Sequence, residues 1–465
     1  MLKTLYVKEI VENIGGTLLT NREEQPIRHV VVYPHLLRRR SLYFDMARRS
    51  KINESKWKQL SDLVIVTDRP AYFLGKNPSW SIIEVEHSHR AYWKFIDYYR
   101  SLWEIPVIGV TGTCGKTTVK EMIAHILSKS YRVQSTYKSK NALDRNLQYL
   151  LGFDERTDAA VMEMGVARPN DLLKSCRYFK PQIGIITTIG TDHLEHCKTQ
   201  ENYILEKAKL LKGLDNKGTL IINGDDENIK KIDLSKFEGE IIRFGQSEDA
   251  DYRAMDIRYT EGGMTFILIA YEEKYTAFVP GYGEHNVYNA MASLAAVQEV
   301  GMDLEEAIDR LKSFHHVESH LELHIGLNGC TVIDDTWSSN PTSAGAALKV
   351  LKEIADGKKT VAVFGRMELL GEQTEQQHAL VGEKVARYGI DTLITIDETA
   401  AHIGKRAFEL GMPLERIYRC KSPRKIFNIL KQQLNQQTIV LIKTSMLDSR
   451  TKLIKRVLLK ERKRR

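Results

Sequence analysis

The segment Val107-Ile-Gly-Val-Thr-Gly-Thr-Cys-Gly-Lys-Thr-Thr118 constrains this chain more than any other stretch. Its apolar start reads as a buried strand, which runs into a glycine-rich turn and then opens a helix with Lys-Thr-Thr. Glycines at 109, 112 and 115 let the backbone approach a polyphosphate, and successive N–H groups with the helix N-terminus supply partial positive charge. Behind the turn, Val119, Met122, Ile123, Ile126 and Leu127 recur at helical spacing, so a helix with one buried face comes next. Gly112, Thr113, Cys114, Gly115, Lys116, Thr117 and Thr118 are therefore candidate nucleotide-binding residues. Lys116 reaches the outer phosphates and Thr117 offers its hydroxyl to magnesium. The strict G-x-x-x-x-G-K-[ST] pattern would place a glycine at 110, where this chain has Val110. A glycine-rich turn acting as mere punctuation is the bland alternative, and the Gly-Lys-Thr-Thr ending on a correctly patterned helix weighs against it.

A chain of 465 residues is too long for one ordinary core, and about 150 residues per domain gives roughly three. Apolar strands near Val30, Ser41–Phe44, Leu63–Thr67 and Ile82–Val85, with a helix over Val7–Ile14, read as a small N-terminal α/β module over 1–103. From 104 to 318 strands alternate with helices, which predicts a mostly parallel sheet around the phosphate loop. A strand-rich patch runs from Tyr252 to Phe278. Past 318 a second alternating unit, 319–465, reads as a C-terminal Rossmann-like α/β domain. The fold class is thus α/β in three domains. No apolar run of about 18 residues occurs and the N-terminus lacks an apolar signal core, so no membrane span and a cytoplasmic protein are expected. Five scattered cysteines without C-x-x-C spacing read as reduced thiols. The net charge of +8 is mild, and much of it sits in Lys455–Arg465. A solvated helix end is the simpler reading of that tail, no nucleic-acid partner is expected, and the chain is expected as a monomer.

A phosphate loop alone does not separate a kinase, a GTPase, a motor and a ligase. The run Ala159-Ala-Val-Met162 ends in Glu163, a carboxylate where a magnesium ligand usually stands, although strands often end in an exposed Glu. The next strand ends in Thr191-Asp192-His193, and His193 is a candidate second metal ligand against the default of a solvated loop histidine. On the helix beyond it, Lys207 and Lys209 are bland by default.

At these residues the chain resembles the Mur ligase family of ATP-dependent amide-bond-forming enzymes, over nearly its whole length. Thr111–Thr117 matches the family's phosphate loop, Asn141 and Asn146 its Asn-bearing segment, Glu163-Met-Gly165 its metal site and Asp192-His193 its Asp-His pair. The resemblance implies a carbamylated lysine at Lys207, with Lys209 as the fallback. It assigns the adenine-contacting segment to His285, Asn286 and Asn289, and the ribose-facing element to Asp334-Asp335 through Asn340-Pro341. Met367-Glu-Leu-Leu-Gly371, His378 and Gly382 are similar to a signature of the branch that adds D-alanyl-D-alanine to a UDP-muramoyl tripeptide. The resemblance further implies ATP and Mg2+ as cofactors, with Thr117, Glu163, His193 and Lys207 on the metals and Lys116, Lys207 and His193 in catalysis. The partners implied are small-molecule carboxylate and amine substrates, a UDP-muramoyl peptide and a D-amino-acid dipeptide in that branch, joined through an acyl phosphate with release of ADP and phosphate.

The chain departs from the family where substrates are read. Tyr33-Pro34-His35 stands in place of a uridine-contacting Asp-Ser-Arg, and an expected Asp-Gly-His segment is absent from Met46–Glu54. His320 replaces an ATP-facing Arg, which implies a nucleotide closure that is either weaker or pH-dependent. Arg366 replaces an Asp, Lys443-Thr-Ser-Met446 replaces Lys-Gly-Ser-Arg, and Cys114 replaces a small polar residue. Arg38-Arg39-Arg40 is a further candidate for an anionic substrate, against the simpler reading of a solvated run. Three readings stand side by side: the housekeeping ligase, a divergent paralogue joining another carboxylate and amine, and an ATPase or nucleotide-binding scaffold without ligation.

Overall fold

The computed structural model describes residues 3–20, 22–46, 57 and 59–459, which resolve into two compact units. The first comprises residues up to 105 together with 142–160 and 177–180. Its elements are β1 (Leu5–Tyr6), α1 (Val7–Ile14), β2 (Thr17–Leu18), β3 (Pro26–Ile27), β4 (His29–Val31), β5 (Ser41–Phe44), β6 (Val64–Thr67), β7 (Ser81–Glu84) and α2 (Ser88–Ser101). A five-stranded sheet in the order β2-β7-β6-β5-β4 is parallel except for β2, and every residue of β5 and β6 is buried, as expected for strands covered on both faces. Asp45, buried just past β5, is held by Arg69 at 2.7 and 3.0 Å and by the Thr67 hydroxyl at 2.9 Å. Arg39 is bound to Asp62 at 3.0 Å, so part of the arginine run has a structural partner. Most of the Met46–Glu54 segment, like residues 460–465 of the basic tail, lies outside the described residues.

The second unit holds Pro106–Asn141, Val161–Cys176 and everything from Pro181 onward. The strand before the glycine turn is β8 (Val107–Thr111), buried throughout, and α3 (Lys116–Leu127) comes after the turn. In chain order there follow β9 (Val133–Ser135), α4 (Asn146–Leu150), β10 (Ala159–Glu163), α5 (Asp171–Phe179), β11 (Ile183–Ile186), α6 (Leu194–Cys197) and α7 (Gln200–Gly213), of which α4, the first residues of β10 and the last of α5 count with the first unit. The sheet continues through β12 (Thr219–Asn223), β13 (Glu240–Gly245), β14 (Tyr252–Thr260), β15 (Gly263–Ala270) and β16 (Glu273–Pro280), before α8 (Glu284–Glu299) and α9 (Leu304–Leu311). These strands form one nine-stranded sheet in the order β16-β15-β14-β13-β12-β11-β8-β10-β9. From β8 the chain adds strands on one side and then, from β11, on the other. The glycine turn therefore sits at the point where strand order reverses, the crevice in which open α/β sheets bind ligands. The strands from β8 through β11, β12, β13 and β14 pair in parallel, whereas β14, β15 and β16 form an antiparallel meander. Helix α8 is buried along nearly its whole length and packs against α3 and the sheet.

A second, six-stranded sheet in the same unit is built from β17 (Glu322–Ile325), β18 (Thr331–Asp335), α10 (Pro341–Glu353), β19 (Lys359–Phe364), α11 (Thr374–Arg387), β20 (Thr392–Thr395), α12 (Ala401–Glu409), β21 (Ile417–Arg419), α13 (Pro423–Gln433), β22 (Thr438–Lys443) and α14 (Ser449–Leu458). Its order is β17-β18-β22-β19-β20-β21, parallel except at β17, an edge strand the apolar pattern does not show. Helix α14 carries the start of the basic tail, and Lys455 there is paired with buried Asp334 at 2.5 Å. No helix among the described residues is long and apolar enough to cross a membrane.

Candidate functional site

Around the glycine turn the backbone admits no side chain. Gly112 sits at φ 145° and Gly115 at φ 83°, and a Cβ on either would overlap Thr187 Oγ or Asn289 Oδ1. The turn is fastened from behind. Thr113 N–H donates to Thr188 O at 2.7 Å, the Thr187 hydroxyl donates to Cys114 O at 2.5 Å, and Lys207 Nζ donates to Gly112 O at 2.8 Å. Lys116 Nζ rests on Thr113 O at 2.9 Å, folded back over the loop it opens. The Thr117 hydroxyl donates to Glu163 Oε2 at 2.9 Å, and Asn141 Nδ2 donates to Glu163 Oε1 at 2.7 Å, so the carboxylate at the end of β10 faces the first turn of α3.

Burial governs the titration of this neighbourhood. Lys207 is about 1% exposed, and desolvation, aided by the nearby Lys116 charge, pushes its amine well below the usual lysine range. His193 lies on a left-handed residue (φ 53°), its imidazole is pushed down by burial despite the pull of Asp192, and its Nδ1 is buried with no hydrogen-bond partner among the described residues. Lys209, by contrast, is partly exposed, paired with Glu206 and bonded to Asn170 Oδ1. Of the two lysines, the one that touches the phosphate loop is Lys207.

One cavity of about 680 Å³ runs from the loop to the start of α8 and is closed by residues of the second sheet. It is lined by the candidates Thr113–Thr118, Glu163, His193, His285, Asn286, Asn289, His320 and Asp335, while Gly112 and Lys207 stand behind the loop. Burial pushes His285 down to about 4 and holds His316 and His320 below the usual imidazole range. His320 stacks on Trp337 at 5.8 Å between ring centroids, and its Nδ1 sits 2.8 Å from Glu318 O. The Cys114 thiol is pushed up by burial and lies 3.4 Å from Asn340 Oδ1, the packed rather than the reactive setting for that residue.

Several lining residues carry no motif of their own. Asn340 caps α10 through Ser343 N–H (2.9 Å), receives the Cys114 thiol and donates to Asp192 Oδ2 at 3.3 Å. Lys443, about 1% exposed at the end of β22, pairs with Asp335 at 2.7 Å and donates to Ser338 O. Asn-Pro before a helix signals a cap, and that much of Asn340 is visible in sequence. Its two long-range partners are not.

The chemistry of this donor set suits a magnesium-bound nucleoside triphosphate. The glycines leave room only for a backbone-cradled anion, Lys116 and the α3 N-terminus supply positive charge, and Thr117 with Glu163 offers hard oxygen ligands. The partnerless His193 nitrogen offers one more ligand atom.

Two family models match the chain. One, the Mur ligase middle domain, covers residues 110–297, and the other, the Mur ligase glutamate ligase domain, covers 321–446. A UDP-N-acetylmuramoyl-tripeptide--D-alanyl-D-alanine ligase of Bacillus subtilis is 27% identical over 445 residues, 94% of this chain and 95% of that protein. The enzyme of that name from Synechocystis is 28% identical over 72% of this chain and 70% of its own length. Among solved structures, MurF from Acinetobacter baumannii superposes with a TM-score of 0.84 at 21% identity, covering 99% of this chain and 100% of that one. MurF from Thermotoga maritima in complex with ADP gives 0.77 at 22%, with 92% and 96% covered. The chain belongs to the Mur ligase family.

Proposed function

We propose that this chain is an ATP-dependent amide ligase that joins D-alanyl-D-alanine to a UDP-N-acetylmuramoyl tripeptide, acting as a monomer in the cytoplasm. The observation that carries the reading is a cavity combining a backbone phosphate cradle with Thr117 and Glu163, backed behind the loop by the buried Lys207, whose amine burial pushes well below the usual lysine range. Support for the substrates comes from the relatives named for that reaction. Residues 1–103 take the muramoyl substrate in this reading, 104–318 the nucleotide and 319–465 the incoming amine.

The tripeptide carboxylate attacks the terminal phosphorus, the bond to ADP breaks, and an acyl phosphate forms. The dipeptide amine then attacks the acyl carbon, phosphate leaves and the ammonium proton is lost. Charge gathers on phosphoryl oxygens and then on the tetrahedral centre. Lys116, once released from Thr113 O, and the N-terminus of α3 would offset the first, and Thr117, Glu163 and His193 would hold a metal that supplies further positive charge to both. Lys207 serves as a carbamate. A neutral amine is the form that adds carbon dioxide, and the carbamate would replace a cation that repels metal ions with an anion able to help hold them.

A second reading, a different carboxylate and amine, is favoured by Tyr33 and His35, which are exposed and stacked on each other at 5.8 Å in the first unit. Mass spectrometry of the purified chain with ATP, Mg2+, the UDP-muramoyl tripeptide and D-alanyl-D-alanine separates the readings. A UDP-muramoyl pentapeptide, with ADP release that needs both acceptors, is expected. Product only from another acceptor pair selects the second reading, and ADP release without acceptors leaves an ATPase.

A further inference from the structure

The far end of the cavity holds a polar group that nothing else in the site uses. Asn289 abuts the phosphate loop at Gly115, and Glu284 stands five residues earlier on α8 (289 − 284), about 7.5 Å along the axis at 1.5 Å per residue. A nucleoside triphosphate seated on the loop is longer than that span, so its base reaches the Glu284 end. Tyr259, on β14, lines the wall there. Its ring lies parallel to that of Tyr282, 6.3 Å away, and Tyr282 accepts the Gly262 N–H at 3.1 Å, which fixes the tip of the β14–β15 hairpin.

The polar side chains around it are already engaged. Glu284 is paired with Lys349 and bonded to Gln246, and the Tyr288 hydroxyl donates to Asp225 at 2.7 Å. The Tyr259 hydroxyl is buried and has no hydrogen-bond partner among the described residues, and burial, aided by the charges of Glu353 and Glu284, pushes the phenol up to about 12, so it is a donor at neutral pH. A buried donor left unmade costs free energy, and such a group in a native fold calls for an occupant.

We propose that Tyr259 reads the nucleobase, its hydroxyl donating to an acceptor on the edge of a purine held at this end of the cavity. The inference rests on the nucleotide reading of the cavity, and it names the group that fixes the base rather than the phosphates. Tyr259→Phe removes one oxygen and keeps the ring stack. Calorimetry of the full-length chain with Mg-ATP and with inorganic triphosphate, which has no base, tests it. The variant is expected to bind Mg-ATP about 5- to 10-fold more weakly, the loss of one hydrogen bond, and inorganic triphosphate as the wild type does. An unchanged affinity for Mg-ATP, or equal weakening for both probes, overturns the inference while leaving the cavity's nucleotide reading in place. A wild-type chain that binds neither probe overturns both.

Discussion

Lys207 shows how a residue type that is bland on paper acquires a role from its surroundings. On a helix surface a lysine is a solvated cation, but here it is sealed behind Gly112, beside the charge of Lys116, where the protonated form is penalised. Replacement of Lys207 by Ala removes the proposed carbamate and is expected to lower turnover by about 100-fold or more. Short carboxylic acids such as acetate, small enough to enter the space vacated, are expected to restore part of it in an ADP-release assay. Full activity in the variant without any acid would remove Lys207 from the chemistry. His320 illustrates the opposite case. It stands where the family resemblance places an arginine's permanent charge, and burial, with its ring stacked on Trp337, pushes its imidazole below the usual range, away from the charged form.

Elements differ in how plainly they announce themselves. Strand β8, the glycine turn and α3 are legible because each is written locally: a β-branched run, three glycines, then apolar residues at 3.6 spacing. The pattern places the start of α8 at Asn286, two residues late, because Gly283 at φ 104° ends the preceding loop without an ordinary side-chain cap. What the pattern does not carry is contact over distance. Asn340 meets Cys114 across 226 residues and Asp192 across 148, Lys443 meets Asp335 from another strand of the second sheet, and Tyr259 faces α8 from a hairpin. Gly115→Ala tests the locally written part. A Cβ at φ 83° costs about 1–2 kcal/mol in backbone strain and must also displace Asn289. Affinity for Mg-ATP by calorimetry is expected to fall at least 10-fold with an unchanged circular dichroism spectrum; wild-type affinity would mean that the loop does not grip phosphate.

At the scale of the whole chain, the candidate nucleotide residues all belong to the second unit, and elements of both its sheets line one cavity. Ligand at about 100 times its dissociation constant stabilises the species that binds it by about 2.7 kcal/mol. Hydrogen–deuterium exchange with saturating Mg-ATP is therefore expected to slow at β8, α3 and the first turn of α10, and to leave β4 to β7 of the first unit unchanged. Protection of the first unit to the same degree would overturn that assignment. In the second unit Gly190, in the loop after β11, also meets the first turn of α10, where a Cβ on the glycine would overlap the Thr342 hydroxyl. Drift at either position is thereby tethered to the other: a lineage that gains bulk at 190 must shed it at 342, so two sites 152 positions apart (342 − 190) are free to vary only as a couple, and chimeras that swap one half of this unit between relatives will inherit mismatches there first.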